Sequence, residues 1–243
     1  AAAGWLLEGM GTYERSEMAG LLGCGVYVSY IASGVLVGPD WKQAAIDSVR
    51  PRLIFDSGYL SMVIGMVGTS IAPWMQFYLQ AAVVEKGVTA KEYKESRIEV
   101  IVGCIVMSVI AFFIIVACAG AIYAHGPRDI EDAADAARGL SPFGPYAVLL
   151  FAVGLFNASL FAACILPLST AYTVCEGLGF ESGVNKRFRE APIFYWLYTL
   201  LIVVVAGVIL IPGFPLVRMI LLSQVINGML LPFVLIFMTL LVN

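Results

Sequence analysis

Chemistry in this chain rests on a few neutral polar groups set inside long uncharged stretches. Ser57 to Val84 runs 28 residues without a charge, between Asp56 and Glu85. Its middle reads Gly68-Thr69-Ser70-Ile71-Ala72-Pro73. Pro73 has no N–H for the carbonyl of Thr69, and its ring clashes with that carbonyl, so a continuous helix is not expected. A freed carbonyl in hydrocarbon is costly unless something satisfies it. Two readings stand. One is a proline kink whose carbonyl is satisfied by a neighbouring helix. The other is half of an ion site, of the kind broken helices form at the midplane of transporters, with Ser70 beside Thr69.

Other polar groups lie in comparable settings. Gln224, in Ser223-Gln224-Val225, and Asn157, in Gly154-Leu155-Phe156-Asn157, are amides in apolar runs. Such amides serve as hydrogen-bonding glue between helices more often than as ligands. Gln76 and Gln80 follow the break at a spacing of four and share one helix face. That face fits a hydrated exit path or ordinary polarity at a membrane surface.

The elements that must position these groups are membrane spans. The chain of 243 residues is 60% hydrophobic and only 13% charged, with mean hydropathy +0.91. Soluble domains carry about 25% charged residues, so a multi-span, all-α membrane protein is expected. Residues 1–18 read as the end of a preceding span and a polar connector. Spans follow at 19–38, 57–84 (broken), 100–124, 146–170, 192–211 and 217–242, forming a single membrane domain over 1–243. Ser141-Pro142-Phe143-Gly144-Pro145 reads as a re-entry turn, and Pro167 is expected to bend or end the fourth span. Asp129, Glu131, Asp132 and Asp135, with Arg128 and Arg138, read as a short amphipathic surface helix. Eight of the Lys and Arg residues fall on the side holding 1–17, 85–99 and 176–190, against six on the other. That excess puts the first connector in the cytoplasm.

Several function classes recede on composition alone. A net charge of −3 and no basic patch interleaved with aromatics argue against a nucleic-acid partner. No zinc-protease, nucleophile-elbow, Walker or dinucleotide pattern is present. No Asp, Glu, Lys, Arg or His lies deep in a span, so neither a membrane enzyme's base nor its metal ligands are found. The single His125 sits beside Gly126-Pro127 and reads as a loop residue. The five cysteines form no C-x-x-C pair and read as small hydrophobes. A cation site built from these spans alone would have neutral ligands only.

At these residues the sequence resembles the NRAMP family of divalent-metal transporters. Gly11-x-Tyr13-Glu14-Arg15-x-Glu17 is similar to the family's connector before its fifth span. Gly68 to Pro73 falls on the family's broken sixth helix, and Ser223-Gln224-Val225 with Leu231-Pro232-Phe233 on its tenth. The resemblance covers essentially the whole chain, as spans five to ten. It implies a LeuT-type inverted-repeat fold, present in part, with the remaining N-terminal spans, and the acidic ligands of the first one, lying outside this chain. It implies metal ligation by the Thr69 carbonyl and, directly or through water, by the Gln224 amide. The family's metal-binding methionine falls on Ala72, and the histidine after its proline falls on Trp74.

These departures resemble the NRAMP-related magnesium transporter branch, as does Ala-Pro-Trp-Met-Gln-Phe-Tyr at 72–78. A thioether favours transition metals over Mg²⁺ and Ca²⁺. Alanine removes it and leaves room for a partly hydrated Mg²⁺, which gives up water reluctantly. The resemblance therefore implies alternating-access transport of Mg²⁺ and also Mn²⁺, without proton coupling, in a multi-pass protein of a bacterial plasma membrane. The ions are transported substrate; no cofactor is expected. The alternatives are a proton-coupled Mn²⁺/Fe²⁺ transporter of the same family and, in a different class, a polytopic membrane enzyme or structural membrane subunit.

Overall fold

A computed structural model describes residues 13–50, 54–121, 130 and 133–242. All of the chain before Tyr13 therefore lies outside the described residues, as do His125, Arg128, Asp129, Glu131 and Asp132. The described chain is helical: α1 (Tyr13–Val26), α2 (Val28–Val37), α3 (Trp41–Val49), α4 (Ser57–Ser70), α5 (Pro73–Lys86), α6 (Tyr93–Ala121), α7 (Ala133–Arg138), α8 (Pro145–Leu178), α9 (Pro192–Ile209) and α10 (Leu216–Val242). No strand occurs among the described residues. Among the described residues, six helical stretches are long and apolar enough to cross a membrane: Gly20–Val37, Ser57–Lys86, Ala90–Ala121, Pro145–Leu178, Pro192–Ile209 and Leu216–Leu241. The protein is an all-α polytopic membrane protein.

Two boundaries differ from expectation for local reasons. The first span is not one helix. It turns at Tyr27, where Tyr27 N–H bonds the Cys24 carbonyl at 3.2 Å, a three-residue closure in place of the four-residue one. Gly23 and Gly25 just before it are weak helix formers, and glycine is a recurrent site of kinks. The fourth span does not stop near Thr170. α8 continues through Pro167 to Leu178. Hydroxyls crowd the turn after the proline: Ser169 and Thr170 both donate to the Leu166 carbonyl, at 2.9 and 3.0 Å, and Thr173 donates to Ser169 O at 2.8 Å. Those hydroxyls fall after the proline; the carbonyl that Pro167 leaves without a helical donor is that of Ala163, four residues back, and a membrane helix tolerates such a proline.

The chain forms two compact units: 1–51 with 85–165, and 52–84 with 166–243. In the first, α2, α6 and the start of α8 pack through small residues. A Cβ on Gly34 would meet the Phe113 ring, and one on Gly154 would meet the Tyr30 ring at 2.6 Å. Tyr30 is buried there, edge-on to Phe151 at 5.3 Å. Ser33 Oγ donates to the Ala147 carbonyl at 3.1 Å. In the second unit, Asp56 caps α4 by accepting from Gly58 N–H at 3.0 Å. Tyr172 on α8 packs edge-on to Phe194 on α9 at 4.8 Å and to Tyr78 on α5 at 6.0 Å. All five cysteines are free, with Cys164 and Cys175 buried and Cys24 and Cys104 exposed.

Candidate metal site

The second unit holds the broken helix. α4 ends at Ser70, Ile71 leaves helical geometry (φ −133°, ψ 72°), and α5 starts at Pro73. A proline suits the first position of a helix, where its missing N–H is not needed. The break is therefore two residues long, Ile71 and Ala72. It is closed by Ile71 N–H on Val67 O at 3.0 Å and Met75 N–H on Ala72 O at 3.1 Å. Thr69 and Ser70 turn their hydroxyls back along α4, to Gly65 O and Met66 O, each at 2.9 Å. Each hydroxyl proton is thus given to the helix, while its oxygen keeps its lone pairs. Beside them lies the Thr69 carbonyl, to which Pro73 can offer no donor.

Against α4 lies α10. A Cβ built on Gly68 would overlap the Gln224 carbonyl oxygen and the Gly228 nitrogen, and one on Gly228 would overlap the Ile64 carbonyl oxygen. The two helices thus cross backbone to backbone, as small residues permit in membranes. Gly65 sits one turn earlier, its Cβ position 3.4 Å from Val225 Cγ2. This crossing brings Gln224 beside the residue that precedes Thr69. Gln224 is half-buried, and its Oε1 accepts from Asn227 Nδ2 at 3.3 Å. Asn227 is not among the candidate ligands drawn from the sequence, although its spacing of three from Gln224 on one helix is a signal for such a pair. Pro232 lies four residues after Gly228, inside α10. Like Pro73, it removes the helical donor of the carbonyl four residues back, so the crossing has a second carbonyl without one.

Ala72 is 2% exposed, and Pro73 is buried beside it. Trp74 is half-buried. Gln76, on the first turn of α5, has its Oε1 shut from solvent with no hydrogen-bond partner among the described residues, while Gln80 is exposed. Asn157 belongs to the other unit. It is 8% exposed, and its Nδ2 donates to the Gly23 carbonyl at 2.9 Å, joining α8 to α1. Among the described residues no group of three or more His, Cys, Asp or Glu side chains could hold a metal. The polar groups that α4 and α10 carry near this crossing are carbonyl and amide oxygens, which are neutral hard donors.

A family model for natural resistance-associated macrophage protein-like (Nramp) proteins matches residues 1–243. The chain belongs to the Nramp family. Among curated proteins this Nramp chain is similar to the divalent metal cation transporter MntH of Acidiphilium cryptum (strain JF-5), at 26% identity over 235 residues. That match takes in 93% of the chain and 51% of the relative, so the chain spans about half the length of the curated relative it matches.

Proposed function

We propose that the protein of which this chain forms part transports divalent metal cations across a bacterial plasma membrane by alternating access. Mg²⁺, partly hydrated, and Mn²⁺ are its substrates, without proton coupling. The observation that carries divalent-metal transport is the Nramp match over the whole chain, placed on a helix broken at Ile71–Ala72; Mg²⁺ and the lack of proton coupling rest on Ala72 and Trp74. The name of the MntH relative supports divalent metal as the substrate class. The LeuT-type repeat arrangement implied by the resemblance belongs to the same reading.

In this reading the Thr69 carbonyl and the Gln224 amide oxygen are ligands, the second directly or through water. The buried, unpaired Oε1 of Gln76 is an acceptor that a hydrated ion or its water would satisfy. Ala72 supplies no ligand; its methyl leaves the volume a thioether would fill. Trp74 supplies no titratable proton carrier where the family places histidine. The acidic ligands come from spans outside this chain.

The test is Ala72→Met in the intact protein, reconstituted in liposomes with a Mg²⁺-sensitive and a Mn²⁺-sensitive dye. Mg²⁺ uptake should fall at least tenfold while Mn²⁺ uptake persists, about 1.4 kcal/mol of selectivity from one soft ligand. Unchanged Mg²⁺ uptake refutes the selectivity assignment. Acidification of the liposome lumen driven by Mn²⁺ would favour the proton-coupled Mn²⁺/Fe²⁺ alternative.

A further inference from the structure

The connection between α8 and α9, residues 179–191, lies outside both helices, yet it is held as firmly as a packed element. Val184 N–H donates to the buried Tyr172 hydroxyl at 2.8 Å. The Tyr195 hydroxyl donates to the Lys186 carbonyl at 2.7 Å, with the Val184 carbonyl 3.3 Å away. Arg187 N–H donates to Glu190 Oε2 at 2.7 Å. Backbone is fixed here by side chains from both flanking helices, so whatever the loop presents is presented in one geometry.

What it presents is two guanidinium groups with an aromatic ring between them. Lys186 is already paired with Glu181, and that pairing holds the Glu181 carboxyl below its ordinary range, so the pair stays neutral overall. The Glu190 carboxylate is engaged with backbone. Arg187 and Arg189 are exposed, and their guanidinium groups have no ion-pair or hydrogen-bond partner among the described residues. Phe188 is 46% exposed and lies stacked on the Tyr195 ring at 5.7 Å and edge-on to Trp196 at 6.1 Å. Trp196 itself is 64% exposed. It sits one turn into α9, within about 6 Å of the start of an apolar span. A loop bathed only in water gains nothing by holding an aromatic pair outward between two cations. At the level of the headgroups the same pattern is favourable: the rings sit in the interface, and the arginine forks meet phosphate.

We propose that residues 179–191 form a seat for the headgroup of an anionic phospholipid. Arg187 and Arg189 take the phosphate, and Phe188 with Trp196 lies along the first carbons of the acyl chains. Arginine rather than lysine at both positions suits bidentate contact with phosphate. The site is separate from the transport reading and needs no metal.

The experiment uses the intact protein in nanodiscs of equal phosphatidylglycerol and phosphatidylcholine, released for native mass spectrometry to count retained lipid. Wild type should keep phosphatidylglycerol in preference. R187Q and R189Q should each cut that preference about fivefold, and the double variant about 25-fold, from roughly 1 kcal/mol per basic residue at an anionic surface. R97Q, on α6, should leave it unchanged. Excess inorganic phosphate should not displace the lipid. Equal preference in wild type and the double variant overturns the proposal, as does an equal loss in R97Q. Displacement by free phosphate would make the loop a small-anion site and overturn the lipid assignment. If the double variant does not fold, the wild-type preference for phosphatidylglycerol still decides: none means no lipid seat.

Discussion

Gly68→Ala and Gly103→Ala make the same chemical change and should have opposite effects. A Cβ on Gly103 meets nothing within 4 Å, so alanine there gains its helix propensity, up to about 1 kcal/mol. A Cβ on Gly68 meets the Gln224 carbonyl and the Gly228 nitrogen, closer than real Cβ atoms approach. Both are backbone atoms of a continuous helix and cannot swing aside. α4 and α10 must then part by on the order of 1 Å, which forfeits a quarter to a half of each dispersion contact along the crossing. Overpacking of this kind costs about 1–3 kcal/mol. In a chain this long that lowers the unfolding midpoint by roughly 2–12 °C. A thiol-reactive dye reads the transition in detergent as a rise above the signal of exposed Cys24 and Cys104, because Cys164 and Cys175 are buried until the protein opens. Gly228→Ala should act like Gly68→Ala, and the double variant should cost less than the sum, since one separation relieves both overlaps. A Gly68→Ala protein that unfolds no earlier than Gly103→Ala would refute the backbone crossing, and with it the placement of Gln224 beside Thr69.

Two further outcomes follow from single hydrogen bonds. Asn157→Ala should destabilise the first unit by about 1–2 kcal/mol, since the Gly23 carbonyl loses its donor and Asn157 its packing. An unchanged midpoint in the same dye assay would show that bond to be dispensable. Tyr195→Phe should leave the fold intact but loosen the 179–191 loop, with faster hydrogen exchange over 184–190 and faster tryptic cleavage after Lys186, Arg187 and Arg189. Cleavage at the wild-type rate would mean the tyrosine clamp does not hold the loop.

Much of the fold was legible in the sequence because membranes make few demands and enforce them strictly. Uncharged runs long enough to cross are visible as such, and Pro73 announced a break that the structure confines to Ile71 and Ala72. Pro167 did not end the fourth span: α8 runs on through it to Leu178, since a proline inside a membrane helix need not stop it. The turn at Tyr27 carries no proline and so gave no such sign. At the candidate site, the identities of Thr69, Ala72 and Gln224 could be picked out singly. Their spatial relation could not, because it depends on Gly68 and Gly228, 160 residues apart, meeting without side chains between them. Periodicity along one helix cannot reveal which glycine on another it will touch. Asn227 suggested no role for a related reason: its bond to Gln224 matters only once Gln224 itself is placed at a crossing.

The break between α4 and α5 also bears on how the protein is made. Each half has 14 residues and so reaches only about 21 Å, short of the roughly 30 Å of hydrocarbon. Neither half can leave the insertion machinery as a stable crossing, and together they form the least apolar of the six candidate spans. The stretch that follows after a short charged connector, Ala90–Ala121, is the most apolar of the six. During synthesis the broken segment would wait, half-committed, until α6 emerges and fixes the topology on both sides of it. The helix with no candidate ligand on it would then be the one that lets the interrupted helix exist in a bilayer at all.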